Sequence, residues 1–274
     1  MQWLENQFDW CKYWLIKFPI LASIVMTAGV FMFYLLMVGI ANIAGMRGFG
    51  VARGCIRLAA SVPAIVIIGI LIQQNGFKFA FSVKNSAKAL LICAPLILAL
   101  FLAPLQLIGQ ADLNSLFDTL RLIRAFANIS TGVFEEVLLR GLFMIAMLCR
   151  FGDTKTGRLL VVLACALVFG VGHPESLFMV FAATMYGVIF GAAFAYSGNL
   201  LVVMAVHAFN NFVSGLIYTS LYPAANTMWF PFFWLYSFTL PDAIFLLAFV
   251  ALIAYAIIKA EPFSKRFSLI KWIQ

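Results

Sequence analysis

Residues 131–149 read TGVFEEVLLRGLFMIAMLC. The run is close to the length a helix needs to cross a bilayer, about 20 residues, yet it carries Glu135, Glu136 and Arg140. Further on, Phe169-x-x-x-His173 and His207-x-x-x-Asn211 sit in equally apolar surroundings. Charged side chains in hydrocarbon cost roughly 3 kcal/mol each on insertion scales. Groups of this kind persist in a span when they face a protein-lined, hydrated site. The stretch from Thr131 to Asn211 therefore organises the chain.

The composition agrees. Of 274 residues, 65% are hydrophobic and 10% charged, against about 25% charged in an ordinary soluble domain. The expected fold class is all-α, a polytopic membrane bundle of about eight transmembrane helices, each taking about 20 residues. No polar segment is long enough to fold apart, so residues 1–274 read as a single membrane domain, with the chemistry in 110–215. A net charge of +8 fits basic loops beside anionic lipid and gives no reason to invoke nucleic acid. Cys11, Cys55, Cys93, Cys149 and Cys165 are scattered without a C-x-x-C pair, as packing residues are. Glu5 and Asp9 spoil a basic signal-peptide head, so the first span is expected to remain as an anchor.

Residues 1–17, rich in Trp and Tyr, suit a membrane interface. Spans are expected at about 18–43, 55–72, 87–109, 128–149, 159–172, 176–196, 200–221 and 241–258. Pro63, Pro95 and Pro104 fall inside spans, where membrane helices tolerate them, and each should kink its helix. Residues 110–130 repeat Leu113, Leu116, Phe117, Leu120 and Ile123 at helical spacing, which predicts an amphipathic segment before the fourth span. His173 precedes Pro174, so it should end the fifth helix. Ala183, Gly187, Gly191 and Ala195 step by four and predict close helix packing. An aromatic-rich loop follows the seventh span, and a basic tail ends the chain. Lysines and arginines favour the side holding both termini, which is read as cytoplasmic.

Glu136 and Arg140, one turn apart, can pair and relieve each other's burial. Glu135 points about 100° away and is left for other work. A partly desolvated carboxylate suits a general base. His173, at a helix end, can reach across to hold a water with Glu135. Phe169, one turn earlier, would shape the wall. His207 and Asn211 share a face, and their N–H groups can stabilise an oxyanion. Asn210 is a less favourably angled neighbour. No metal is favoured, but zinc is possible, with Glu135, His173 and His207 as its ligands. The H-E-x-x-H signature is absent, and neither Ser130 nor Ser176 is marked as a nucleophile.

Taken in order, Glu135-Glu136-x-x-x-Arg140, Phe169-x-x-x-His173 and His207-x-x-x-Asn211 resemble the pattern of the CPBP family, the CAAX-protease and bacteriocin-processing membrane endopeptidases, also called Abi. The resemblance covers about 80 residues. It implies an eight-span intramembrane peptidase in which Glu135 and His173 activate water, His207 and Asn211 bind the oxyanion, and Glu136 and Arg140 support the site. Many members carry a metalloprotease label, so the metal question comes with the resemblance. Substrates would be peptides or proteins at the membrane. The other readings are a non-catalytic bacteriocin-immunity or scaffold protein and, more weakly, a proton-coupled transporter, which would show repeat symmetry. One geometric condition follows. Glu135 lies near the start of the fourth predicted span, whereas His173 ends the fifth. For both to meet His207, the fourth helix must begin before Asn128, or the seventh must shift or tilt.

Overall fold

The computed structural model describes residues 10, 13–14, 17–45, 50–71, 80–81, 83–107, 119–174, 177–221 and 240–263. Most of the N-terminal aromatic segment, the first part of the amphipathic segment, the aromatic-rich loop, Glu175 and the basic tail lie outside the described residues.

Among the described residues the chain forms eight helices and no strand. They are α1 (Pro19–Ile43), α2 (Gly50–Leu71), α3 (Ser86–Leu107), α4, α5 (Lys155–Val171), α6 (Leu177–Ser197), α7 (Leu200–Leu221) and α8 (Leu240–Lys259). Helix α4 is continuous but changes pitch: α-helical over Thr119–Glu136, π-helical over Val137–Met144, and α-helical again over Ile145–Phe151. Three helical stretches, Ile20–Ile43, Val51–Gly69 and Met179–Ser197, are long and apolar enough to cross a membrane. Shorter apolar helices lie at Ser86–Leu98, Leu200–Leu216 and Leu247–Lys259.

The boundaries follow local chemistry. Pro19 opens α1, where its fixed φ suits a first turn. The Thr154 hydroxyl caps α5 by accepting from the Gly157 N–H at 3.0 Å. Gly198, at φ +69°, makes the left-handed turn between α6 and α7 that a side chain would resist. Asn199 then caps α7, its Oδ1 accepting from the Val202 N–H at 3.0 Å, while its Nδ2 donates to the Lys84 carbonyl and to Ser86 Oγ, both at 3.1 Å. The start of α7 is thereby fixed to the segment before α3. Helices α2 and α3 run on through Pro63, Pro95 and Pro104.

One expectation needs correction. The amphipathic segment and the fourth span are not separate elements: from Thr119 they are a single helix. In its first turns Ala125 is buried, while Ile123 and Phe126 are exposed. Starting that early meets the condition set by the depths of Glu135 and His173. His173 itself follows the end of α5, as its proline neighbour requires.

Helix α4 is the axis of the bundle. All of Val137–Met144 is buried, while α1 turns Met32 and Leu36 outward at 63% and 61% exposure. Apolar residues on the outside and ionised ones within are the pattern of a lipid-facing bundle. Small residues bring the helices together. A Cβ on Gly187 would meet the Ala166 Cα at 2.7 Å, joining α6 to α5. A Cβ on Gly132 would lie 2.8 Å from the Ala208 backbone N and 3.0 Å from the His207 carbonyl carbon, so α4 and α7 touch backbone to backbone beside His207.

This contact predicts that Gly132→Ala forces α4 and α7 apart and destabilises the protein by about 1–3 kcal/mol, as overpacking does. Gly29→Ala, with nothing within 4 Å of the added carbon, should leave the melting temperature unchanged or raise it. Thermal unfolding of the two variants in the same detergent checks both.

Candidate active site

The polar residues of α4 and α7 meet at the depth of the Gly132 contact. Glu136 and Arg140 are fully buried and pair at 2.9 Å. The same carboxylate oxygen, Glu136 Oε1, lies 2.7 Å from His207 Nδ1. Arg140 also donates to the Gly187 carbonyl of α6 at 3.1 Å, which the missing side chain at 187 leaves open. Its guanidinium lies over the rings of Phe169, at 4.9 Å, and Phe190, at 5.6 Å. The charge pair is thus held by three helices and two aromatic faces.

His207 stands between two carboxylates. Glu136 is on its Nδ1 side, and Glu135 Oε2 approaches Nε2 at 3.6 Å. Phe190 stacks on the imidazole with centroids 4.8 Å apart and planes at 22°. Phe169 meets it edge-on at 5.7 Å. With Nδ1–H donating to the Glu136 carboxylate, Nε2 is the atom turned toward Glu135. It is buried and has no hydrogen-bond partner among the described residues.

Phe169 also touches the second histidine, His173, at 4.7 Å between centroids. His173 Nδ1 lies 2.8 Å from the Phe169 carbonyl oxygen. A carbonyl only accepts, so Nδ1 carries the proton and Nε2 of neutral His173 has the lone pair. Both Phe169 and His173 therefore belong to the cluster. His207 approaches Glu135 at 3.6 Å, a contact that the motif spacing alone did not name.

On α7 the Asn210–Asn211 pair completes the group. Asn210 is buried and accepts from the Tyr186 hydroxyl at 3.3 Å. It donates to Asn211 Oδ1 at 3.2 Å. Asn211, half-buried, keeps the face it shares with His207. The residues that the sequence did not mark are Tyr186, Phe190 and Gly132. Each is an unremarkable member of an apolar run, and only the packing gives it a role. The π-helical segment was equally hidden. Its eight residues begin directly after Glu136 and include Arg140, and such widened turns are frequent at functional sites.

Structural and catalytic zinc sites use at least three protein ligands. Among the described residues, no group of three or more His, Cys, Asp or Glu side chains could hold a metal ion. Glu136 is already shared between Arg140 and His207.

Residues 118–213 match the model of a family described as type II CAAX prenyl endopeptidase Rce1-like. The match, about a third of the chain, runs from the head of α4 into α7 and contains every motif residue. It agrees with the CPBP resemblance drawn from those motifs. No curated protein and no solved structure gives a match.

Removing one member of the buried pair should be far worse than removing both. Arg140→Met leaves Glu136 ionised and buried beside only His207, and should cost about 3–5 kcal/mol. Glu136→Gln combined with Arg140→Met should recover much of that loss. Melting temperatures and membrane yields of the single and double variants measure the difference.

Proposed function

We propose that a chain matching CAAX prenyl endopeptidases across its polar core is itself an intramembrane endopeptidase, hydrolysing a peptide bond of a membrane-associated protein or peptide. The observation that carries this reading is the position of His207. It is held by Glu136 on one ring nitrogen and faces Glu135 across 3.6 Å on the other, inside an apolar bundle.

In this mechanism the Glu135 carboxylate takes a proton from a water that also hydrogen-bonds His173 Nε2. The water oxygen attacks the scissile carbonyl carbon. Charge collects on the former carbonyl oxygen, where His207 Nε2–H and Asn211 Nδ2–H donate to it. The C–N bond then breaks as Glu135 returns the proton to the leaving amine. Donation from His207 Nε2 requires the imidazolium form. In that form Glu135, Glu136, Arg140 and His207 carry two charges of each sign. Glu136 and Arg140 hold the imidazole, and Phe169 supports both histidines. We favour water activation without a metal, with Glu135 and His173 holding the water between them. Substrates of fitting chemistry are a prenylated C-terminus, a bacteriocin or signal-peptide leader, or another membrane protein. The proposed setting is a cell membrane, inner or plasma, with both termini on the cytoplasmic side.

Glu135→Ala and His207→Ala should each abolish processing while the protein stays folded and inserted. Comparative terminal proteomics of membranes carrying the wild type or Glu135→Ala should reveal the substrate as a shifted terminus. Full processing by both variants overturns the enzyme reading. A chelator should leave the rate unchanged, and loss on chelation with recovery on adding zinc would overturn the metal-free mechanism.

A further inference from the structure

An oxyanion donor works only if its N–H is aimed before the charge appears. An asparagine side chain is ambiguous in this respect, because its amide can turn by 180° and present an oxygen instead. At Asn211 the neighbouring amide sets one orientation in the structure. Its Oδ1 accepts from Asn210 Nδ2 at 3.2 Å. With the oxygen so engaged, the NH₂ group is the end left to donate. Asn210 is itself oriented, since its Oδ1 accepts from the Tyr186 hydroxyl at 3.3 Å. The order of donors and acceptors is consistent along the chain: the hydroxyl gives to an oxygen, and the amide then gives to the next oxygen.

Tyr186 also reaches the other proposed donor. Its ring lies 6.0 Å from that of Phe190, and Phe190 stacks on His207 at 4.8 Å. One buried tyrosine on α6 therefore backs both residues of the α7 face, one through two hydrogen bonds and the other through two rings. Tyr186 and Asn210 are each only 1% exposed, so their polar groups cannot trade these partners for bulk water.

We infer that Asn210 and Tyr186 are positioning residues, a hydrogen-bonded relay that aims the Asn211 amide at the oxyanion. The inference rests on the reading of Asn211 as an oxyanion donor.

The test uses the full-length protein in lipid vesicles and an internally quenched farnesylated peptide ending in a CAAX sequence as probe. Asn211→Ala should lower kcat by about 10²- to 10³-fold, as loss of one oxyanion donor does, with KM little changed. Asn210→Leu, apolar and of similar shape, should lower kcat by about tenfold or more, again with KM unchanged. Tyr186→Phe keeps the ring and should have a smaller effect in the same direction. The double variant Tyr186→Phe/Asn210→Leu removes both buried partners together, which costs little stability, so it should melt near the wild type and still lose kcat. Combined with Asn211→Ala, Asn210→Leu should add nothing further. Wild-type kcat in the folded Tyr186→Phe/Asn210→Leu variant overturns the relay. So does a loss from Asn210→Leu that multiplies with that of Asn211→Ala. If Asn211→Ala alone is fully active, it is the reading of the oxyanion site that fails, and the relay falls with it.

Discussion

One carboxylate oxygen holds this structure's polar core together. Glu136 Oε1 receives Arg140 from its own helix and His207 from α7. In an interior this apolar, an ionised carboxylate is tolerated only if its charge is met at short range. Arg140 meets it and in turn needs acceptors and aromatic faces, found on α6 and α5. Satisfying Glu136 therefore fixes the relative placement of four helices. Glu135 and His207 Nε2 are left facing each other as a consequence.

Small residues make that electrostatic arrangement possible. Gly132 lets α4 lie directly on the α7 backbone at Ala208, and Gly187 both seats α6 on Ala166 and exposes the carbonyl that Arg140 uses. Larger side chains at either place would lengthen the distances over which Glu136 and Arg140 act. The π-helical turn from Val137 to Met144 belongs to the same geometry, since Arg140 lies within it and Glu136 immediately before it. Backbone pitch, glycine placement and ion pairing are three parts of one solution to burying charge.

The polar groups fall into a layered order. Glu135, His173, His207 and Asn211 stand nearest the proposed chemistry. Behind them Glu136, Arg140, Phe169 and Phe190 fix the rings, and Tyr186 with Asn210 fixes the amide. Each layer is held by the one behind it, which is how a bundle with few polar residues can orient them closely.

The amino-acid sequence alone determined the helices and the identity of the motif residues. Apolar length set eight helices, all but the fourth close to their observed bounds, and His173-Pro174 placed a helix end, because these are properties of the local chain. It also determined the Glu136–Arg140 pair, since residues four apart on a helix must meet. What only the tertiary structure decided is which groups face each other across helices. The sequence offered His173 as a partner of Glu135, and the packing also brings His207 to 3.6 Å from it. It ranked Asn210 below Asn211 by helical angle, and the packing makes Asn210 the buried link to Tyr186. The fourth span was expected to begin near residue 128, where polarity changes, although the helix runs from Thr119. The reason is common to all three: spacing along one helix fixes direction on that helix, but contacts between helices depend on depth, rotation and small-residue contacts that are distant in sequence.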